Sequence, residues 1–565
     1  MGFDEAPHRL TVSRSELYRS GDTILDIVPL ASEEWTCRKN ALRYTLNNRN
    51  ARLLQGLICL VILILLAPLA AAAQRDSAPI GMFDGQGDVG TVLHAGSASY
   101  NAGDKSYNVT GSGENMWFGE DDFHYLWKKI SGDFAISADV KFVGVMGDPH
   151  RKAVLMVRQT LDGNSPSVDV ARHGDGLTSL QFRDGAGANT HEVEFRDPAP
   201  LRVAIERRGD YFYAFFSGAD GKLHPAGAST KLVLTGPLYV GIGVSAHNKD
   251  QLQTAIFSDV KIETLPPSGD EKPLLLSTLE TVSVDSVDRR VAYVAPAHFE
   301  APNWSNNGSF FLFNQDGGIY RLPVVDGGTI YKLPSAGENP VRIPTGAEVK
   351  CNNDHGISPD GKMIAVSDSS QTGKSLLYTL PISGGSPTQI TKVGPSYFHG
   401  WSPDGSTLAF TGERDGNFDI YTIPAAGGEE KRLTTAEGLD DGPEYSPDRQ
   451  WIYFNSIRTG HMQIWRMHPD GSAQEQVTFD ETNDWFPHIS PNGKWMTFLS
   501  YAKDVTGHPA DKDVTLNVMS LTDKKIKVLA TLFGGQGTNN VNSWSPDSSK
   551  VAFVTYEYLT RAPWD

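Results

Sequence analysis

The sequence is poor in cysteine, in basic clusters and in helical periodicity, and each shortage excludes a class of protein. It has 3 cysteines in 565 residues, and only Cys351 lies after residue 73, so an exported part beginning there forms no internal disulfide. A formal net charge of −17 opposes binding to a phosphate backbone, which requires clustered Lys and Arg. No Gly-x-Ser-x-Gly or His-Glu-x-x-His motif occurs, which disfavours esterases, peptidases and zincins.

Glycine and proline, by contrast, are plentiful. The chain contains Gly 56 times and Pro 33 times, and its short apolar runs are bounded by Gly, Pro, Asn and Asp. Long amphipathic helical patterns are missing. Short apolar runs between tight turns are typical of β-strands, so we predict an all-β fold. A chain of this length exceeds what one hydrophobic core organises, so we expect two or more domains.

The first 73 residues are predicted to direct export. Residues 1–50 form a polar extension, and residues 51–73 contain an apolar run that ends in three alanines before Gln74. The run is either a signal peptide cleaved near Ala73 or an uncleaved membrane anchor. Either Met1 is a wrongly chosen start or the extension is a cytoplasmic tail. Export with so few cysteines favours a periplasmic, cell-surface or secreted bacterial protein.

Residues 78–264 show the alternation of half-buried strands. Phe134–Phe142 and Ala255–Ile262 are two examples, and Asp-Gly turns separate the strands. This pattern predicts a two-sheet β-sandwich of the jelly-roll kind. A polar segment rich in proline follows, so we place a linker at 265–273 and a second domain at 274–565.

The second domain repeats the phrase Ser-Pro-Asp-Gly, with one of its last two residues replaced by Arg, Asn or Ser in three of the copies. Its first four copies begin at Ser358, Ser402, Ser446 and Ser490, a period of 44 residues, and a fifth begins at Ser545. Periods of about 40–50 residues are produced by four-stranded propeller blades. Counting a degenerate first copy gives six inner strands. Strands before the first copy would complete the last blade, so we predict a six-bladed β-propeller.

Two family resemblances follow from these motifs. The Ser-Pro-Asp-Gly turns, with strands such as Leu408-Ala-Phe and Asp419-Ile-Tyr, resemble the propeller of TolB, the periplasmic component of the Tol envelope system, over about residues 275–560. The first domain resembles concanavalin-like lectins and glucanases through its Arg158-Gln-Thr-Leu-Asp-Gly stretch, residues 201–210 and its closing strand from Phe257. The second resemblance implies carbohydrate binding. Fold alone, however, does not decide activity.

The residues before each turn are rich in groups that ligate metals or transfer protons, and ring closure would gather them at one axis. A divalent metal such as Mn, Ca or Zn could bind three of the histidines, and a histidine beside a carboxylate could act as a general base. Alternatively, these groups only hydrogen-bond to water in the channel. We predict catalytic roles for His355, His399, Glu444 and His488, metal binding for His355, His399 and His488, and ligand binding for Asn353, Tyr397, Asp440, Asp441, Asp484, Trp485, Asn540 and Asn542.

Two functions remain open at this point. One is an exported protein that binds a carbohydrate or another envelope polymer, through its sandwich and its channel mouth, without turnover. The other is a metal-assisted polysaccharide lyase or glycoside hydrolase with its site at the propeller axis. The expected partner is a carbohydrate, a polymer or an envelope protein, with no nucleic acid and with membrane contact only through the N-terminal segment.

Overall fold

The computed structural model describes residues 79–195, 201–218, 221–266, 273–325, 330–331 and 340–559. These residues form strands, turns and bends without an α-helix, so the all-β prediction is confirmed. Within these ranges no helix is long and apolar enough to cross a membrane. The predicted polar extension, the apolar segment 51–73 and most of the linker at 265–273 lie outside the described residues.

The described residues of the first part of the chain, from 79 to 266, form sixteen strands. They are β1 Gly85–Val89, β2 Ser97–Asn101, β3 Ser106–Gly111, β4 Met116–Trp117, β5 Glu120–Asp121, β6 Phe123–Ile130, β7 Phe134–Phe142, β8 Lys152–Arg158, β9 Ser167–His173, β10 Thr178–Arg183, β11 His191–Phe195, β12 Arg202–Arg208, β13 Tyr211–Ser217, β14 Leu223–Lys231, β15 Leu238–Ser245 and β16 Gln253–Thr264.

The second part begins with two strands that are followed by the repeats. They are β17 Leu274–Ser283, β18 Arg289–Ala295, β19 Phe299–Trp304, β20 Phe310–Gln315, β21 Gly318–Pro323, β22 Ile330–Tyr331, β23 Val341–Arg342, β24 Cys351–Ile357, β25 Met363–Asp368, β26 Leu376–Pro381, β27 Thr388–Gln389, β28 Ser396–Trp401, β29 Thr407–Arg414, β30 Asn417–Pro424, β31 Lys431–Arg432, β32 Asp440–Tyr445, β33 Ile452–Ser456, β34 Gln463–Met467, β35 Glu475–Gln476, β36 Asn483–Ile489, β37 Trp495–Tyr501, β38 Ala510–Ser520, β39 Ile526–Gly535 and β40 Lys550–Leu559.

Fourteen strands of the first part belong to two sheets that share one hydrophobic core, and β4 and β5 pair only with each other. One sheet has the order β14-β13-β12-β7-β16-β3-β2, and the other contains β1-β6-β15-β8-β9-β10-β11. Apolar side chains that alternate along each strand, such as Ile136 on β7 and Leu155 on β8, meet in this core. The opposite face of the second sheet carries Arg158 and Arg183, whose guanidinium groups both bind the Asp121 carboxylate at 2.5 and 2.6 Å. Assignment to the concanavalin-like class stays a prediction.

Each repeat begins at a turn that its own side chains close. In the copy at Ser358, the serine hydroxyl donates to the Asp360 carboxylate at 2.7 Å, and the Lys362 amide donates to the same oxygen at 3.1 Å. Gly361 has a φ of +72°, a left-handed conformation that favours glycine. The Met363 amide then donates to the Ser358 hydroxyl at 3.0 Å, which starts the next strand. The recurring phrase is thus the corner between two strands of one blade.

The structure forms five four-stranded blades. Their orders are β19-β20-β21-β23, β24-β25-β26-β27, β28-β29-β30-β31, β32-β33-β34-β35 and β36-β37-β38-β39. The expectation of six blades is therefore wrong. The strand that should open a sixth blade is reduced to one bridge between Trp544 and Val551. The expected pairing of β17 with β40 is present, but β18 continues from it into parallel pairing with β11, so these strands belong to an eleven-stranded sheet.

Side chains also join the two parts of the chain at this junction. The Asp513 carboxylate of β38 accepts hydrogen bonds from Lys231 at 2.5 Å and from the Tyr211 hydroxyl. The Arg289 guanidinium of β18 donates to the Ser229 carbonyl and lies 3.5 Å from the Glu280 carboxylate. The shared sheet and these contacts hold the first part against the edge of the propeller.

Candidate functional site

The first strand of every blade carries a β-bulge that changes the direction of its side chains. In β32 the pairing register shifts between Asp441 and Glu444, and the other four first strands show the same irregularity. Ala301, Gly442 and Phe486, each four residues before the turn serine, have φ values of +55, +64 and +56°. A bulge re-aims the side chains beside it. As a result, side chains such as Asp441, before the bulge, line the end of the channel away from the Ser-Pro-Asp turns, those such as Glu444, after it, line the turn end, and His399 reaches both.

Two cavities lie along the channel. The cavity at the end away from the Ser-Pro-Asp turns, here called the mouth cavity, has a volume of about 530 Å³. The inner cavity, of about 380 Å³, lies on the turn side and is lined by His355, His399, Glu444 and Asn542 among others. The mouth cavity is lined by Glu300, Asn352, Asn353, Asp354, Tyr397, His399, Thr411, Phe418, Leu439, Asp441, Phe486, His508, Gln536 and Asn540.

A histidine–carboxylate pair occupies the centre of the mouth cavity. His399 Nε2 lies 3.2 Å from Asp441 Oδ1, and His508 Nε2 lies 3.8 Å from Asp441 Oδ2. Burial alone would raise the pKa of Asp441, but the hydrogen bond and charge of His399, together with His508, hold that pKa well below its usual range. Burial likewise opposes protonation of His399, yet Asp441 and Asp354 raise the pKa of His399 above its ordinary value. The pair therefore favours its charged form.

Two further carboxyl groups of the mouth cavity hold their protons more strongly. Burial and the charge of Asp441 raise the pKa of Asp354 to about 6, against the attraction of His399. The Asn352 amide donates to Asp354 Oδ2 at 2.6 Å. Burial also raises the pKa of Glu300, whose Oε1 accepts from the Asn353 amide at 3.3 Å. The mouth cavity thus combines a low-pKa carboxylate with a carboxyl group that titrates near neutrality.

Aromatic rings support one wall of the mouth cavity. The His508 ring lies with its centroid 4.4 Å from the Trp485 ring and 5.1 Å from the Phe486 ring. The Phe486 ring is also stacked 6.1 Å from His399. Trp485 is only 1% exposed, so it packs behind this wall and does not offer a face to a ligand. Its predicted role in ligand binding is corrected to support of His508.

Glu444, His488 and Asn542 form a separate buried network on the turn side of the bulge. Glu444 Oε2 lies 2.6 Å from His488 Nδ1, while Glu444 Oε1 accepts from the Ile489 amide at 2.8 Å and from the Asn542 side chain at 2.7 Å. His488 Nε2 lies 2.9 Å from the Asn539 carbonyl. Both ring nitrogens of His488 therefore face oxygen acceptors of the protein. This arrangement leaves His488 no nitrogen for a metal or a substrate.

His355 lines the inner cavity together with His399, but in the described residues it makes no hydrogen bond to either of the other two predicted histidine ligands. It is 1% exposed, and neither ring nitrogen makes a hydrogen bond of good geometry, although the backbone groups of Leu312 and Asn353 lie near the ring. Burial lowers the pKa of His355 to about 4. Among the residues between 79 and 559 that are described, no three His, Cys, Asp or Glu side chains are grouped so as to hold a metal ion. The predicted metal set of His355, His399 and His488 is not found.

Two predicted ligand-binding aspartates do not line the mouth cavity. Asp440 binds the Arg458 guanidinium at 2.7 Å. Asp484 is fully buried and accepts hydrogen bonds from Ser500 at 2.6 Å and Thr482 at 3.0 Å. Both carboxylates therefore hold strands together within their blades.

The structure brings together five of the predicted residues and adds others that the sequence did not single out. Asn353, Tyr397, His399, Asp441 and Asn540 all line the mouth cavity. Missing from the prediction are the acids Glu300 and Asp354 and the insertion residue His508. Asp354 directly follows the predicted Asn353. His508 lies in an insertion that lengthens the fifth blade, where the turn serines Ser490 and Ser545 are farther apart than in the other repeats. The sequence therefore held a signal for both residues.

Comparison with known proteins identifies the repeats. The family model of the TolB beta propeller domain matches residues 394–558. An uncharacterized protein of Agrobacterium fabrum is 48% identical over 281 residues, which cover 50% of this chain and 92% of that protein. A solved TolB-type structure from Agrobacterium tumefaciens is 46% identical, covers 50% of this chain and 99% of its own, and has a TM-score of 0.47. TolB from Acinetobacter baumannii is 15% identical over 61% of this chain and 71% of its own, with a TM-score of 0.34.

Proposed function

The chain belongs to the family of TolB-like β-propeller proteins, and on that premise we propose that it is a binding protein of the bacterial envelope. Its mouth cavity holds a neutral, hydroxyl-rich segment of a polymer, such as a run of uncharged sugar units. The family membership supports the envelope location, because TolB belongs to an envelope system. The first part of the chain, with its resemblance to lectin-type domains, would hold a second stretch of the same polymer.

The observation that carries this proposal is the composition of the mouth cavity. Carboxylate and amide groups there can bind hydroxyl groups, and the half-buried Tyr397 and Phe418 supply ring surfaces for the apolar faces of sugars. No Lys or Arg occurs among the described residues of its lining. A polyanion such as a uronate polymer would therefore find no Lys or Arg to pair with its carboxylates, and the charge of His399 is already paired with Asp441, which favours a neutral ligand.

A binding experiment on the full-length protein tests the proposal. Neutral oligosaccharides and their uronate counterparts would be compared by isothermal titration calorimetry. We expect a neutral oligosaccharide to bind, and Tyr397→Ala together with Asp354→Ala to weaken it about tenfold or more, or roughly 1.4 kcal/mol. The matched control is Glu429→Gln, an exposed carboxylate on the β30–β31 connection. Preferential binding of uronates, or equal affinity in all variants, would contradict the proposal.

A second candidate function, glycoside hydrolysis at the same cavity, is favoured by one observation. Asp354 has a pKa of about 6, as a general acid requires, and Asp441 remains ionised beside His399. A screen for new reducing ends on neutral polysaccharides distinguishes turnover from binding. Loss of those products in Asp354→Asn, with ligand affinity retained, would establish the hydrolase. Absence of products from every substrate that binds would leave the binding function alone.

A further inference from the structure

A third cavity lies outside the channel, between the first blade and the eleven-stranded sheet. It has a volume of about 370 Å³. We name it the Arg290 cavity, after a residue of β18, and its described lining includes Trp304, Asn307, Phe311, Pro546 and Lys550. None of the candidate catalytic or ligand-binding residues discussed above lines it. Its function is therefore a separate question from that of the mouth cavity.

Arg290 is the unusual feature of this cavity. Its Nη2 atom is buried and has no hydrogen-bond partner in the described part of the chain. No ion pair to its guanidinium occurs there either. The adjacent Arg289, which points to the other face of the strand, lies 3.5 Å from the Glu280 carboxylate and donates to a carbonyl group. Arg290 as a whole is half-buried, but its buried Nη2 group without a partner is costly, because buried polar groups are normally hydrogen-bonded.

Other buried arginines of the described residues donate to an oxygen of the protein, either a carboxylate or, as Arg207 does, backbone carbonyls. Arg158 and Arg183 share Asp121, and Arg458 binds Asp440 at 2.7 Å. This chain has an excess of acidic residues, 67 against 50 basic ones, so a partner for Arg290 would be easy to supply. The fold instead leaves the guanidinium open toward a cavity. That contrast indicates that the missing carboxylate or other oxyanion comes from a ligand.

The walls of the cavity define the rest of the ligand. Trp304 and Phe311 have rings 4.7 Å apart, and Pro546 adds apolar surface. Lys550 is exposed and supplies a second positive charge at the rim. The one acid in the described lining, Asp547, accepts hydrogen bonds from Ser545 at 2.6 Å and Ser549 at 2.8 Å within its own turn. The local charge is thus positive in a chain whose net charge is negative.

We propose that the Arg290 cavity binds a small organic carboxylate carried on a ring. The carboxylate pairs with the Arg290 guanidinium, which suits a planar two-oxygen group better than a point charge. The ring packs against the indole of Trp304. An aromatic acid and a sugar acid share this chemistry, and the choice between them is decided by the experiment.

The test is a titration of the full-length protein by calorimetry with benzoate and with D-glucuronate. Benzyl alcohol and D-glucose serve as neutral counterparts of the two probes. We expect one or both carboxylates to bind the natural protein and the neutral counterparts to bind at least tenfold more weakly. Stronger binding of benzoate identifies an aromatic acid as the ligand class, and stronger binding of D-glucuronate identifies a sugar acid.

Three variants locate the binding. Arg290→Gln should weaken the preferred carboxylate at least tenfold, while Lys550→Gln, at the rim, should weaken it about threefold. The control is Arg321→Gln in the first blade, where an exposed guanidinium lies 4.0 Å from the centroid of the Phe310 ring; it should bind normally. Since Arg290 has no protein partner, Arg290→Gln should also keep the melting temperature of the natural protein. Failure of both carboxylates to bind, or equal binding by Arg290→Gln and Lys550→Gln, overturns the proposal.

Discussion

Replacing Glu444 by alanine should destabilise the propeller strongly, because its carboxylate is shared by three donors. Without the Glu444 carboxylate, His488 Nδ1 and the Ile489 amide lose the oxygen that they face. The Asn542 side chain still donates to the Ile489 carbonyl at 3.0 Å. Each orphaned buried donor costs about 1–3 kcal/mol. With two donors orphaned, we expect Glu444→Ala to lower the free energy of unfolding by about 2–6 kcal/mol.

Urea unfolding followed by tryptophan fluorescence measures this loss, since the Trp544 indole donates to the His488 carbonyl at 3.0 Å and reports on the network. Glu444→Gln retains one acceptor oxygen and should cost only about 1–2 kcal/mol. Glu437→Ala, an exposed glutamate, is the control and should change stability by less than about 0.5 kcal/mol. A stable Glu444→Ala protein that has lost only ligand binding or turnover would refute the structural role assigned to this network.

Three other predictions concern separate parts of the molecule. Asp121→Ala leaves Arg158 and Arg183 buried without their carboxylate, so it should lower stability by about 3–5 kcal/mol in urea unfolding. Burial raises the pKa of Asp484 to about 7 in the folded protein. The folded state therefore holds this proton more strongly than the unfolded state, and its contribution to stability is present at low pH and is lost as the pH rises through 7. Asp484→Asn should flatten that pH dependence and gain at least about 1 kcal/mol at pH 8, measured by thermal unfolding across pH. His508→Ala should weaken ligand binding at the mouth cavity about fivefold in calorimetry. The stability cost of Glu444→Gln should be the same whether or not His508 is also replaced.

The repeat could be predicted from the sequence because its turns rely on local chemistry. The Ser358 hydroxyl, the Asp360 carboxylate and Gly361 close the corner within four residues, so the signal is contained in the motif itself. The number of blades could not be predicted in the same way. It depends on β18 pairing with β11, two strands about a hundred residues apart whose parallel contact leaves no periodic trace.

The candidate site was only partly predictable, for a related reason. Counting back from the turn serine placed His399 and His488 near one axis, as the inner strands require. The β-bulge in each of these two strands, however, directs side chains that are only a few positions apart toward opposite ends of the channel. His399 consequently meets Asp441 in the mouth cavity, whereas His488 meets Glu444 on the turn side. A count along the strand cannot separate these two environments.

The insertion in the fifth blade connects the mouth cavity to the first part of the chain. His508 faces Asp441 at 3.8 Å and bonds to Gln536, and five residues later Asp513 accepts from Lys231 and Tyr211. The same short segment therefore supplies a wall of the cavity and a contact to the N-terminal sheets. The strand β38 begins at Ala510, between these two contacts, and is hydrogen-bonded to β37 and β39. The insertion therefore brings residues of both parts of the chain close to one site.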